Sequence, residues 1–468
     1  MSASTLDKTT IENPHRGRTL AVLCAGMFLV LLDVTIVNVA LPAIGSGLHT
    51  EVAMQQWVVD GYVVAIAGLL IAGGTVGDRI GHRRVLLAGF AVFGLASLGC
   101  ALAPSIGVLI AARVVQGIGG ALLLPSTMAV IVDVYPERGE QAKALGTWAA
   151  VSSLALPAGP LLGGLLVDRF GWRPVFWINV PLTILAIAGT LLVVPNRPGN
   201  KAGRLDVVGA AGFVAGLSGA VFTVIAAGHR ASGATVVVAA AVAVLGFGAA
   251  LWSARVAEHP ILPLDLLRRK AFLSPNVVAV LMNGLFNGTL FVGMLYLQDV
   301  LGFSPLAAGV MVLPMAIPLV VLAPVSGRLT AARGPRTAVS LGCALAAVGS
   351  LLLIGVGRHG GSGWLLGGFA LLGCGAGLMT TAVVAAVVRA TPPARSGLAT
   401  GVSNTSRQIG TATGVAIFGA FAGSPHTSGF VPALHTLALA AAAAWLVALV
   451  ITRVGVVAEA GGSPSPGR

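Results

Sequence analysis

The chain alternates long apolar runs with short stretches of Gly, Pro and charged residues. A membrane-crossing helix needs about 20 apolar residues. About 14 runs satisfy that length, near 20–43, 55–76, 85–103, 106–132, 143–166, 174–194, 205–227, 233–252, 272–297, 305–327, 337–356, 363–388, 397–421 and 433–455. The pair between 205 and 252 is rich in Gly and Ala and gives the weakest signal. An even number of spans returns the chain to the side it started from. The expected fold class is an all-α polytopic membrane protein of 14 transmembrane helices.

Composition removes the soluble alternative. Of 468 residues, 56% are hydrophobic and 9% charged, and the mean hydropathy is +0.94. A soluble domain is about 25% charged, so too few charges are present to coat a core of this size. The first apolar run is too long for a cleaved signal and reads as the first span. Cys24, Cys100, Cys343 and Cys374 each sit inside an apolar run without metal-ligand spacing, and read as packing residues.

The net charge of +13 would point to nucleic acid if the basic residues formed one patch. They occur instead in twos and threes between apolar runs. With the N-terminus inside, about 22 of the 28 Lys and Arg fall in cytoplasmic segments, among them Arg16, Arg18, Arg79, Arg83, Arg84, Arg138, Lys143, Arg197, Lys201, Arg204, Arg268, Arg269 and Lys270. Both termini are expected to be cytoplasmic, the basic excess sets topology, and no nucleic-acid partner is needed. Two punctuated stretches, Pro195 to Arg204 and Arg255 to Lys270, bracket two helices and leave six on each side. The layout is a cytoplasmic tail (1–19), a six-helix half (20–194), a two-helix insertion with its linkers (195–270), a second six-helix half (271–455) and a tail (456–468). Two similar halves are typical of repeat-built transporters.

Charges at membrane depth are costly and therefore informative. Asp33 lies about 15 Å from the outer end of the first span and Arg113 about 12 Å from that of the fourth. Opposite charges at matched depth are natural partners, either as a carboxylate alternating between Arg-paired and protonated or as a static pair that fixes packing. Asp60 enters the second span by about one and a half turns, beside Gln55, Gln56 and Trp57. It reads as a second acid in a substrate cavity or as an interfacial residue. Arg407 and Gln408, next to Asn404, Thr405 and Ser406, sit too deep to reach the headgroups easily. They read as cavity lining or as an internal packing pair. The chain contains no phosphate-binding loop, no H-E-x-x-H and no G-x-S-x-G. An enzyme is not expected, nor a cofactor, and energy has to come from an ion gradient.

Several strings then resemble the major facilitator superfamily, in particular its 14-span drug:proton antiporters, over residues 20 to 455. In the first span, Leu32 to Pro42 (LDVTIVNVALP) is similar to that group's signature and contains Asp33. Gly74 to Arg84 (GTVGDRIGHRR) resembles the superfamily's cytoplasmic-loop motif, through Gly74, Asp78, Arg79, Gly81, Arg83 and Arg84. The resemblance implies a gating latch there, with His82 where a second basic residue is usual and Asp133 as the candidate acceptor. A purely topogenic role for these charges is the alternative. Arg113 to Ala121 (RVVQGIGGA) resembles the fourth-span motif whose arginine the family associates with proton transfer, and it includes Gln116. Ala155 to Gly164 (ALPAGPLLGG) resembles the antiporter motif through Gly159, Pro160, Gly163 and Gly164, with Ala155 replacing its first glycine. Further echoes are Trp172 to Pro181, Ser304 to Gly309 and Ser403 to Gly410. Trp57 to Tyr62 (WVVDGY) looks most like actinobacterial antibiotic-resistance exporters of the methylenomycin type.

The resemblance implies a proton-coupled exporter of amphipathic drugs in the cytoplasmic membrane, working as a monomer by alternating access. Asp33, Arg113 and Asp60 would couple protons. Asp33, Asp60, Trp57, Gln116, Asn404, Arg407 and Gln408 would line the substrate cavity. Its partners would be a small amphipathic substrate, protons and lipid. The rival readings are a carrier of a native metabolite, coupled or facilitated, and a non-transporting membrane scaffold or sensor.

Overall fold

In a computed structural model, residues 16–199, 206–228, 231–258, 260, 263–357, 361–392 and 395–455 are described. The two tails up to residue 15 and from 456, and the linker residues Lys201 and Arg204, lie outside them. The fold is all-α. Its elements are α1 (Arg16–Gly47), α2 (Val52–Ile80), α3 (His82–Ala101), α4 (Ile106–Val134), α5 (Arg138–Phe170), α6 (Pro174–Trp177), α7 (Asn179–Val193), α8 (Val207–Gly228), α9 (Gly233–Val256), α10 (Leu264–Leu267), α11 (Lys270–Leu295), α12 (Pro305–Arg333), α13 (Pro335–Leu352), α14 (Ser362–Arg389), α15 (Ser396–Ala422) and α16 (Phe430–Gly455).

Most helices overrun the apolar stretches that predict them, because an α-helix satisfies its own backbone as it leaves hydrocarbon. The sixth predicted span is divided at Ile178 into α6 and α7. Among the described residues, thirteen helical segments are long and apolar enough to cross a membrane. The remaining predicted span, the thirteenth in chain order, is α15, which has the length but carries Ser403, Asn404, Thr405, Ser406, Arg407 and Gln408. Packing places it instead: Ser406 Oγ donates to Asn276 Oδ1 on α11 at 3.2 Å, and Asn287 Nδ2 on α11 donates to Thr411 Oγ1 at 3.2 Å.

Helix pairings repeat along the chain. α1 packs on α5, α2 on α4, α3 on α4 and on α7; then α11 packs on α15, α12 on α14, α13 on α14 and on α16. The two sets meet through α2 with α15 and through α5 with α12. The α8–α9 hairpin stands outside this repeat. α8 packs on both α2 and α15, with the Trp57 ring 5.7 Å from Phe222 on one side and Gly228 against Ala420 on the other. Asp206 accepts the Gly209 N–H at 2.7 Å and so caps the start of α8. One helix of the insertion, α8, is therefore laid along the α2–α15 seam. Large apolar residues such as Leu192 (80% exposed), Leu245 (72%) and Val244 (72%) cover the outside, where lipid is their solvent.

The start of α1 and the end of α16 share one face, here the terminal face. The contacts joining the two sets cluster at the opposite, distal face. There Gln56 Nε2 donates to the carbonyls of Val415 and Ala416, both at 3.1 Å, and Gln298 Nε2 to that of Val39 at 3.0 Å. In the α5–α12 seam the backbones nearly touch: a Cβ on Gly164 would lie 2.6 Å from the Leu306 Cα, and one on Gly309 would lie 2.2 Å from the Pro160 carbonyl oxygen. Gly309→Val is expected to cost the sealed form about 1–3 kcal/mol, the usual range for overpacking. Spin labels at the distal ends of α5 and α12 should then move apart; an unchanged distance distribution would show that the seam tolerates the side chain. Toward the terminal face the α2–α15 seam widens into a cavity of about 350 Å³, lined among others by Ile71, Thr75, Asp206, Asp265 and Arg395.

Candidate functional site

Within the first set, five helices converge on Asp33, which is 0% exposed. α4 supplies Arg113, whose Nη1 donates to Asp33 Oδ2 and, at 2.6 Å, to Gln116 Oε1. Arg113 Nε donates to the Val58 carbonyl of α2 at 2.9 Å, and the guanidinium lies 4.1 Å from the centroid of the Tyr62 ring. Asp33 Oδ1 accepts from Gln116 Nε2 at 2.9 Å and from Asn179 Nδ2 of α7 at 2.8 Å. Ser97 of α3 completes the group by accepting from Gln116 at 2.7 Å. The glycines of the fourth-span string permit this approach: a Cβ on Gly117 would lie 2.4 Å from the Tyr62 carbonyl. The sequence brings Asp33 and Arg113 together by depth alone, and the structure pairs them. It also removes Asp33 and Gln116 from any cavity wall, because both are spent inside the bundle.

Asp60 is placed differently. It is dry: it is 0% exposed, and neither carboxyl oxygen has a hydrogen-bond partner among the described residues. One turn after Gln56 on the same face of α2, it points into the α2–α15 seam that Gln56 helps to close. An ionised carboxylate there would be an uncompensated buried charge, which costs several kcal/mol, whereas the protonated acid carries no such cost. Trp57, expected in the cavity, packs on Phe222 of α8 instead.

Across the seam, Asn404, Arg407 and Gln408 are half-buried on α15. They lie on the strip between the face that packs on α11 (Gly410 against Val280, Gly414 against Gly284) and the face toward α2. Asn283 and Asn287 of α11 border this strip, Asn287 donating to the Asn283 carbonyl at 2.9 Å. Sequence reading missed both, although an Asn within an apolar run is itself a signal at membrane depth.

The loop between α2 and α3 sits at the terminal face. Asp78 is exposed and pairs with His82 at 3.1 Å; Arg83 Nη2 donates to the Leu191 carbonyl at 2.5 Å; Arg79 and Arg84 are exposed and Gly74 is half-buried. Asp133 does not accept from this loop, contrary to expectation. Its partner is Arg197 in the segment after α7. That segment crosses the loop closely enough to fill the space first: a Cβ on Gly81, whose φ is +95°, would lie 2.7 Å from the Arg197 carbonyl. The basic residues of linkers read as topogenic, so nothing in the pattern singled out Arg197. In the antiporter string, Gly159 and Gly163 pack on Thr35 and Ile36 of α1, while Pro160 and Gly164 meet α12.

The family model described as Major Facilitator Superfamily matches residues 23–415 and 277–463. The chain is 36% identical over 423 residues to the methylenomycin A resistance protein of Streptomyces coelicolor, covering 88% of each. It is 35% identical over 413 residues to the tetracenomycin C resistance and export protein of Streptomyces glaucescens, covering 86% of this chain and 76% of that one. It is 33% identical over 404 residues to the multidrug resistance protein Stp of Mycobacterium tuberculosis, covering 86% and 75%. Among solved structures, the peptide transporter POT in complex with sulfate superposes with a TM-score of 0.71 at 16% identity, covering 94% of this chain and 95% of that one. That likeness concerns the fold. The chain belongs to the major facilitator superfamily and is a multi-pass membrane transporter, not an enzyme.

Proposed function

We propose that this member of the major facilitator superfamily exports amphipathic drugs or antibiotics across the cytoplasmic membrane in exchange for protons. The names of its relatives support the drug part of this reading. Asp60 carries the proton part: a fully buried carboxyl without partners, lodged in a seam that has to part during transport. The terminal face is taken as cytoplasmic, from the basic loops. The sealed distal face then makes this the inward-facing conformation.

In that state Asp60 holds its proton. A drug arriving from the cytoplasm or the inner leaflet binds between the two halves, and the proton leaves Asp60. The naked carboxylate destabilises the closed α2–α15 seam, which favours opening toward the outside. External protonation of Asp60 after drug release restores the closed seam. Asp33 keeps its three donors, Arg113, Gln116 and Asn179, and with Arg113 it holds α1, α2, α4 and α7 together as one moving body. The carrier works as a monomer without a cofactor, driven by the proton gradient.

Everted vesicles with an acidified lumen test this reading. Adding a transported compound should raise the lumen pH, and no compound should do so in vesicles lacking the protein. Export that persists unchanged after the proton gradient is collapsed would replace antiport by facilitated transport of a metabolite.

A further inference from the structure

Among the described residues, Arg407 is a cation without a counter-ion. No other charged residue lies on α15, and no carboxylate lies within 4.0 Å of Arg407 among the described residues. The second half offers it none: from residue 270 to 455 the only acidic residue is Asp299. α11 and α15 run side by side in parallel, with Val280 against Gly410 and Gly284 against Gly414. Arg407 is therefore level with residue 277, and Asp299 lies about 33 Å farther along the axis at 1.5 Å per residue.

The first half offers no free partner either. Asp33 is occupied by Arg113, Gln116 and Asn179. Asp60 faces α15, about 7 Å from Arg407 along the axis by the register of Gln56 with Val415 and of Ile71 with Gly401. Its oxygens nevertheless contact no donor. The contrast with Arg113 is sharp, since that guanidinium meets a carboxylate, an amide, a carbonyl and an aromatic ring.

Snorkelling does not explain Arg407. It lies about 16 Å from the start of α15, more than its side chain spans. It sits on the strip between the α11 and α2 contacts, half-buried and so open to an incoming group. Beside it stand neutral hydrogen-bonding groups: Asn404, Gln408, Thr411 and, across on α11, Asn283 and Asn287. Thr411 is tied into this strip by donating to the Arg407 carbonyl at 3.1 Å.

We propose that the substrate is an amphipathic organic anion, or the anion of a weak acid, whose carboxylate or phenolate is received by Arg407. This deepens the export reading above by naming the chemistry of the exported compound. A guanidinium forks two parallel N–H groups toward a carboxylate, while the apolar body of the ligand rests between the halves. A cationic drug meets a repulsive wall in the second half and finds the acids of the first half neutral or occupied.

The test uses purified full-length protein in lipid nanodiscs and three probes built on one ring system: anthracene-9-carboxylate, its methyl ester and 9-(aminomethyl)anthracene. Equilibrium binding is expected to rank carboxylate, ester, ammonium, with the carboxylate tighter than the ester by roughly ten-fold or more, the usual worth of a charge-assisted hydrogen bond. Arg407→Gln should erase that advantage, and Arg407→Lys should keep part of it. The proposal is overturned if the ammonium probe binds as tightly as the carboxylate, if the carboxylate does not bind, or if Arg407→Gln preserves the preference. Should Arg407→Gln fail to fold, the ranking on the wild-type protein decides. Binding requires no proton coupling, so the two readings fail separately. Arg407-dependent anion binding without proton movement would end the antiport reading alone; proton movement driven only by cationic dyes would end this one alone.

Discussion

Asp60→Asn is expected to bring substrate-driven proton release in everted vesicles down to the level of vesicles without the protein. Asparagine has nearly the size of a protonated aspartic acid and keeps the α2–α15 seam free of charge, so the inward-facing form should fold and accumulate normally. The carrier then lacks a group to discharge, and the step that weakens the distal seal is lost. Two measurements on one preparation check this: lumen pH after substrate addition, and substrate binding, which should stay within about three-fold of wild type since the substitution conserves charge and volume in this state. The comparison with Asp33→Asn is decisive. If Asp60→Asn vesicles still release protons while Asp33→Asn vesicles do not, the coupling role passes to Asp33, and the orphaned carboxyl in the seam has a structural purpose only.

The second large effect concerns stability. Arg113→Leu should lower resistance to unfolding in detergent by about 3–5 kcal/mol, the usual cost of stripping one partner from a buried ion pair. The Asp33 carboxylate would remain fully buried with only the amide donors of Gln116 and Asn179. Val58 and Gln116 would lose their donor as well. Combining Arg113→Leu with Asp33→Asn removes the stranded charge, so the double variant should be more stable than the single one. Such non-additivity is the signature of a shared site. A single variant within about 1 kcal/mol of wild type, or strictly additive losses, would mean that the five-helix cluster is not what holds this half together.

Fold class and family were legible before any coordinates, because lipid imposes a simple rule: a spanning segment has to be helical and apolar for about 20 residues. That rule weakens where a helix is surrounded by protein. α15, read as a span over 397–421, sets Ser406 and Thr411 against Asn276 and Asn287 of α11 and so tolerates more polar residues than the other spans. The Asp33–Arg113 pair was legible from matched depth, because two opposite charges in hydrocarbon have few alternatives to meeting. Asn179, Ser97 and Tyr62, which complete the cluster, come from other helices whose rotation about their own axes leaves no trace in spacing. Asp133 went to Arg197 rather than to the loop at Asp78, since exposed charges have many acceptable partners of similar energy and chain routing chooses among them.

The sequence by itself determined that this protein is a helical membrane transporter of two repeated halves, and which few residues bear charge inside the membrane. Only the tertiary structure decided what those charges do. Asp33 is consumed by its neighbours, Asp60 is buried without a hydrogen-bond partner among the described residues, and Arg407 is half-buried with no carboxylate within reach. The reason is that a residue's depth is fixed by its position along a helix, at 1.5 Å per step, and can be counted. Its partners depend on how each helix is turned and which helix lies beside it, and those follow from packing among segments hundreds of residues apart.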